Sequence, residues 1–453
     1  MTEDGCTLCA SVLCYDRQDP YTDPADWKVS PKMENSKTKL AAGGTTALMA
    51  SGNYAHAQGS GRIRVGLVGC GGRGTQAAQQ ACECAPGVEL VALGDMFRDR
   101  LDKSGKVLKE ALGDKYKVNE ERCFTGFDAY KNVIANCDYV CLTTPPGFRP
   151  QHLRAAVEAG KHSFVEKPVA VDGPGIRSII ESGEMARRKN LAVLAGTQYR
   201  YMPAYVETIK RVHDGLIGET LGMQVYFLTG MLWMYPRQES WSDMEWQLRN
   251  WYYFTWLSGD HIVEQHVHNM DTMNWTMNAH PVKAVAMGGR QARTDKAYGH
   301  IWDHFAVEFE FPGGARVSSS CRQNDGTYSR VGDRIMGSKG VAELRGLGQP
   351  GRITGETKWR YDGEFPNPYV LEHKAAIESI RAGKPVNEAK QVAESSLSAI
   401  LGRESAYTGQ EVTWEQVLNS QTVLGPEHHS FGDAPTPSVA IPGKTKLDRS
   451  GMA

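Results

Sequence analysis

The chain has 453 residues, 41% of them hydrophobic and 23% charged, and 51 basic against 52 acidic residues leave a net charge of −1. That length suits two or three domains, and the composition excludes a wholly disordered chain, a collagen-like fibre and a small disulfide scaffold. The balanced charge exerts no global pull toward nucleic acid or an anionic membrane, and no apolar run approaches the ~18 residues of a membrane span, so neither is an expected partner.

Residues 1–60 read as a leader rather than as fold. Lys37 and Lys39, a weak apolar stretch over 40–50, and Ala55-His56-Ala57 follow the order of a secretory signal. Gly43, Gly44, Thr45 and Thr46 interrupt its apolar part and no Arg-Arg pair is present, so the signal is degenerate. A disordered Ala/Gly-rich leader on a cytoplasmic protein accounts for the same residues, and both locations stand. Met33 is an alternative start. Of the ten cysteines, Cys6 and Cys9 are half of a zinc pattern without a second pair beside them, so no metal is expected. Cys137 and Cys141 fall in or beside an apolar strand pattern, as buried free thiols do.

Residues 61–197 read as a dinucleotide-binding Rossmann domain. A β pattern over 63–68 runs into Gly69-Cys70-Gly71-Gly72-Arg73-Gly74, and a helix pattern spans 75–84. In G-x-G-x-x-G, Gly69 permits the tight turn, Gly71 lets the backbone approach a pyrophosphate, and Gly74 lets helix pack on strand. The pyrophosphate then meets the amides and dipole of the helix N-terminus. A second strand over 88–93 leads to Asp95, placed to accept from the adenosine ribose hydroxyls. Asp95 favours NAD by repelling a 2′-phosphate; Arg98, close enough to meet one, keeps NADP admissible. Strands over 139–144, 163–165 and 191–195 alternate with helices over 151–159 and 175–188, which implies a parallel, doubly wound sheet. Its ligands bind at the carboxyl strand ends, where Thr144, Pro145, Glu166 and Lys167 lie.

The Gly-rich loop, Thr144-Pro145-Pro146, Glu166-Lys167-Pro168 and the second half that follows resemble the glucose–fructose oxidoreductase / inositol dehydrogenase family over residues 62–416. The resemblance implies an NAD(P)-dependent oxidoreductase acting on a sugar or cyclitol. It implies that Lys167 contacts the substrate hydroxyl and assists proton movement, and that Glu166 approaches the nicotinamide ribose. It also aligns His268 with the family's catalytic histidine. Glu264 stands where members usually have Asp, and His266 where they often have a small residue, which leaves open which group is the base. At i, i+4, Glu264 and His268 are expected on one helix face, where the carboxylate would orient the imidazole and raise its basicity.

Residues 198–424 read as the α+β substrate domain, with an open, largely antiparallel sheet that the resemblance makes a homo-oligomer interface, dimer or tetramer. Phe305, Val307, Phe309 and Phe311 alternate onto one face, Pro312-Gly313-Gly314 turns the chain, and 315–321 returns it. A strand–turn–strand follows over 335–341, then helices over 369–382 and 389–408 that return toward the first domain. Between 231 and 257 lie Trp233, Trp241, Trp246, Trp251 and Trp256, suited either to sugar-ring faces or to a core or subunit interface. Trp251, Tyr199 and Arg200 are substrate-binding candidates beside Lys167, Glu264 and His268. Residues 425–453 read as an extended tail.

Two chemistries fit these residues. In the first, His268 or Lys167 takes a hydroxyl proton while hydride passes to the cofactor. In the second, a redox-neutral NAD-dependent glycosidase oxidises transiently, eliminates the aglycone and reduces again. Arg73 and the leader fit the second, and Lys167 favours the first.

Overall fold

The computed structural model describes residues 61–448. The leader, with its cysteine pair, its export pattern and Met33, lies outside the described residues, as does 449–453.

The first part of the fold is built from β1 (Ile63–Val68), α1 (Gly72–Glu83), β2 (Val88–Asp95), α2 (Arg98–Leu112), β3 (Cys123–Thr125), α3 (Ala129–Asn136), β4 (Tyr139–Leu142), α4 (Arg149–Glu158), β5 (His162–Val165), α5 (Gly173–Arg188) and β6 (Val193–Ala195). The six strands are parallel in the order β3-β2-β1-β4-β5-β6. Their near-continuous apolar runs, such as Tyr139–Leu142 buried throughout, are what two helix-covered faces require. The order reverses between β1 and β4, and that switch point sets the ligand crevice. Cys137 and Cys141 are buried free thiols.

The second part continues with α6 (Pro203–His213), β7 (Thr220–Thr229), α7 (Asp243–Arg249), α8 (Thr255–Ser258), α9 (His261–Glu264), α10 (Val267–Met277), β8 (Lys283–Gly289), β9 (His304–Glu310), β10 (Arg316–Gln323), β11 (Arg330–Gly337), β12 (Gly340–Leu344), β13 (Arg352–Gly355), β14 (Trp359–Arg360), α11 (Pro368–Arg381), α12 (Ala389–Thr408), β15 (Val412–Thr413) and α13 (Trp414–Leu418). Its sheet has nine strands in the order β14-β13-β12-β11-β7-β10-β9-β8-β15. Every neighbouring pair is antiparallel except β7 with β10. Phe305, Val307, Phe309 and Phe311 are buried together, as their alternation requires. Helices α10 and α12 cover this inner face, while α11 returns to α1 and α12 to α5.

One expectation changes and one alternative is narrowed. The helix expected to carry both Glu264 and His268 is broken: α9 ends at Glu264 and α10 begins at Val267. At the break, the ring of His266 pairs with Ser319 Oγ of the sheet at 2.7 Å. The aromatic segment is largely core. Trp246, Tyr252, Tyr253, Phe254 and Trp256 are buried with Phe97 and Phe148 in a cluster of their own, and Trp233, Trp241 and Trp251 pack at its margin. The tail over 425–448 carries no helix or strand, yet it packs on the same cluster.

Candidate active site

The glycine-rich turn is dictated by space. Gly69 sits at φ +98°, and a Cβ there would lie within 3 Å of the Thr143 and Thr144 backbone. At Gly74 a Cβ would meet Gly69 O at 1.9 Å, so helix and strand approach only because it is absent. At Gly71, by contrast, no atom lies within 4 Å of the added carbon: this side of the loop faces open space. Helix α1 starts immediately at Gly72, its N-cap Gly71 offers no side-chain cap, and the first-turn amides remain for a ligand. Asp95 holds the loop by accepting from Cys70 N at 2.6 Å and Phe97 N at 2.9 Å. Burial pushes its carboxyl up, against the pull of those amides and Arg100. A carboxylate has about four acceptor positions, so capacity remains for ribose hydroxyls. Arg98, half exposed, pairs with Asp102 and Glu120. An open loop, uncapped helix amides and an acid at the end of β2 fit a dinucleotide.

Arg73 was expected beside the cofactor, and the structure gives it a bridging position. Its Nε donates to Glu166 Oε1 at 2.5 Å, Nη1 to Gln80 at 2.7 Å and Nη2 to Glu372 at 3.3 Å, with Tyr369 beneath the guanidinium at 4.6 Å. Glu166 also accepts from Lys167 N at 2.8 Å. Its burial would raise its pKa, but Arg73, Lys167 and Arg149 together hold the carboxyl below its usual range. A Cβ on Gly196, just after β6, would lie 2.8 Å from the Glu166 carboxylate, so any larger residue there would displace that side chain. Thr144 Oγ1 pairs with His152 Nδ1 at 3.1 Å, and Pro145 opens the short helical turn over Pro146–Phe148.

Lys167 crosses from the end of β5 to α9. Its Nζ donates to Glu264 O at 2.6 Å and to Glu264 Oε1 at 3.0 Å, and both side chains are nearly buried. The Glu264 carboxylate therefore serves the lysine, which corrects its expected pairing with His268. His268 stacks on Tyr199, ring centroids 5.0 Å apart, and neither of its ring nitrogens has a hydrogen-bond partner among the described residues. Burial, then the charges of Lys167 and Arg73 and the neighbouring His266, hold its pKa well below the ordinary value. The expected gain in basicity is thus a loss, and the ring is neutral.

The neighbouring histidines differ from His268 in their partners. His266 uses both nitrogens, on Ser319 Oγ and on Asn269 Oδ1 at 3.1 Å, and burial drives its pKa to about 3. His261 Nδ1 lies 3.1 Å from Asp260 Oδ1. Of the substrate candidates, Tyr199 lines the His268 ring. Arg200 is committed to Asp271 through a two-pronged pair at 2.8 and 3.1 Å. Trp251 faces Trp233 and Tyr252 at 6.1 and 5.7 Å. Tyr252 brings the aromatic segment to the site: burial and then the Glu264 charge raise its hydroxyl pKa, and Gln323 Nε2 donates to that hydroxyl at 2.8 Å.

Local sequence did not point to Arg149, Glu372 or the Tyr252–Gln323 pair. Buried Arg149 donates to Thr144 O at 2.8 Å and to Pro168 O, tying the loops after β4 and β5 together, and burial lowers its pKa to about 10. No local signal marks Arg149, since its burial comes from the fold.

The fold and this crevice define a two-part dinucleotide-dependent oxidoreductase. Residues 63–197 match the family described as an oxidoreductase family with NAD-binding Rossmann fold, and residues 205–343 match the GFO/IDH/MocA C-terminal domain. The chain belongs to the GFO/IDH/MocA oxidoreductases and is an NAD-dependent enzyme of that family. It is similar to inositol 2-dehydrogenase 3 of Saccharopolyspora erythraea, 26% identical over 326 residues that cover 71% of this chain and 86% of that one. A levoglucosan dehydrogenase in complex with NADH and levoglucosan superposes with a TM-score of 0.64 at 17% identity, covering 78% of this chain and 99% of that one. The scyllo-inositol dehydrogenase of Lactobacillus casei, with NAD(H) and scyllo-inositol bound, gives 0.60 at 20%, covering 78% and 99%.

Proposed function

We propose that the protein moves hydride between NAD and a secondary hydroxyl of a sugar, glycoside or cyclitol, with 61–197 as cofactor domain and 198–424 as substrate domain. The observation that carries this reading is the convergence of Lys167, Glu264 and the unpaired, neutral His268 beside the loop that Arg73 and Glu166 join to the Gly-rich turn. The names of the relatives support the substrate class, since inositol and levoglucosan both carry ring secondary hydroxyls.

When bound, the nicotinamide supplies the two-electron hydride acceptor. Lys167 has three donors, two of them used on Glu264, and the third is available to the oxygen of the substrate hydroxyl. That contact stabilises the negative charge that grows on the oxygen. His268 takes the hydroxyl proton on a ring nitrogen as the carbinol C–H bond breaks and its electron pair leaves with the hydrogen. The products are a ketone, a protonated His268 and the reduced dinucleotide. Tyr199 orients the imidazole by stacking, and Glu264 fixes the ammonium. We further propose a homodimer or homotetramer through the open sheet face, where Val285 and Met287 of β8 are 52% and 73% exposed.

One assay with two readouts tests this. Purified protein and NAD meet free sugars, cyclitols and chromogenic aryl glycosides, with Lys167→Met as control. NADH accumulation that the variant loses supports net oxidation and identifies the substrate class. Aglycone release without net NADH transfers the reading to the redox-neutral glycosidase. Neither signal on any compound overturns both.

A further inference from the structure

The tail beyond α13 lies past the residues matched by either family domain. Leu424 N donates to Asp172 Oδ2 at 3.1 Å, and from there the chain runs over the carboxyl edge of the six-stranded sheet. The His429 ring lies among Phe148, Phe127 and Trp256, with centroids 5.0, 5.8 and 6.0 Å away, and is nearly parallel to the last two. Phe431 lies 5.5 Å from Phe127 and 6.3 Å from Phe97. Two backbone anchors hold the far side: Gly432 O accepts from Met244 N at 3.1 Å, and Ala434 O accepts from Gln247 Nε2.

The three Rossmann phenylalanines belong to three different strand ends. Phe97 follows β2, and its amide donates to Asp95 Oδ1 at 2.9 Å. Phe127 follows β3, where Gly126 N donates to Asp95 O at 3.1 Å. Phe148 ends the turn that Pro145 opens after β4. In a doubly wound sheet the loops after β2 and β3 flank the adenosine half of the dinucleotide, with Asp95 at the ribose, and the loop after β4 stands across the switch point from them. Arg249 closes the same side by pairing with Asp99 at 3.2 Å on the first turn of α2. Phe431 stays 50% exposed although its other face is packed, so an apolar ring surface remains at the rim.

We propose that residues 425–434 form a strap that holds the adenosine half of NAD, with His429 and Phe431 as the residues that lock the loops after β2, β3 and β4. Among the described residues the ring contacts of His429 and Phe431 are to Phe97, Phe127, Phe148 and Trp256, so the strap slows release of the dinucleotide from its adenosine side. Aromatic pairs of this kind prefer tilted and offset-stacked contacts, and full opening of the strap gives up five of them.

The test is a binding measurement on the full-length protein, without sugar, so it stands apart from the substrate reading. NADH fluorescence gives affinity and release rate; reduced nicotinamide mononucleotide, which lacks adenosine, is the comparison probe. In His429→Ala/Phe431→Ala the expected result is NADH release faster by about tenfold with mononucleotide affinity unchanged. Cofactor-free melting checks the fold, and if the double variant is unfolded, His429→Gln/Phe431→Leu is read in the same way. Unchanged NADH release, or equal weakening of both probes, overturns the strap.

Discussion

Lys167 Nζ grips Glu264 at two points, the carbonyl oxygen at 2.6 Å and the carboxylate at 3.0 Å, so an ammonium from the first sheet is held by the backbone and side chain of α9. Glu264→Gln keeps an acceptor and removes the charge. Turnover is expected to fall about 10- to 100-fold with NADH affinity unchanged. Lys167→Met leaves the buried Glu264 carboxylate uncompensated, so besides losing turnover it should lower stability by about 3–5 kcal/mol. Wild-type turnover in Lys167→Met on every substrate that the native protein oxidises would remove Lys167 from the chemistry.

Because burial and the Lys167 and Arg73 charges keep His268 unprotonated, its basic form is already in place at neutral pH. His268→Asn should cost about 10²–10⁴ in kcat. The kcat–pH profile of the native protein should show no inflection from this residue near 6.5. An inflection there that disappears in His268→Asn contradicts the assignment.

Stability should be lost on mild acidification. Burial lowers His152 and His266 to about 3 and His162 to about 4, while in the unfolded chain each titrates near 6.5. Below pH 6.5 the unfolded chain takes protons that the folded one refuses, so their contribution is present above 6.5 and lost as pH falls toward 3–4. Buried Asp333, raised to about 7, works in the opposite sense: the folded state holds its proton, and stability is lost as pH rises from the unfolded carboxyl range through 7. Asp333→Asn should therefore raise the melting temperature at pH 8 more than at pH 5. Equal shifts at both pH values would contradict the titration.

Gly71 and Gly74 should separate binding from folding. Gly71→Ala meets open space in the protein and should melt like the native chain while binding NADH about tenfold or more weakly, because its methyl occupies the phosphate approach. Gly74→Ala meets Gly69 O and should lose stability as well. Titration and melting on the two variants check this, and loss of stability in Gly71→Ala contradicts it.

Arg73→Lys should not preserve function. Three separate guanidinium nitrogens serve Glu166, Gln80 and Glu372, and an ammonium cannot reproduce that fork. The expected result is a lower melting temperature and weaker NADH binding in Arg73→Lys, and native values for both would show that the bridge carries no weight.

The parallel sheet, its glycine turn and Asp95 were legible because each rests on a few consecutive residues: an apolar run buried on both faces, glycines where a Cβ collides, an acid at a strand end. The β9–β10 hairpin was legible for the same reason, its alternation being read directly onto one buried face. The Glu264–His268 pairing misled because i, i+4 spacing assumes an unbroken helix and a free carboxylate, and Lys167, 97 positions away, takes that carboxylate. Arg200 looked available until Asp271 took both of its prongs, and the tryptophan-rich stretch carried no mark saying whether it would face sugar, core or the loops around Phe97 and Phe148.

By itself, then, the sequence determined the cofactor class, since strand, turn and strand-end acid are short-range patterns. Which carboxylate holds Lys167, the neutrality of His268, the bridge from Arg73 to Glu166 and Glu372, and the path of the tail over the sheet edge were decided only by tertiary structure. Burial and charge at those atoms come from neighbours tens to hundreds of residues distant, and no local period in the chain encodes them.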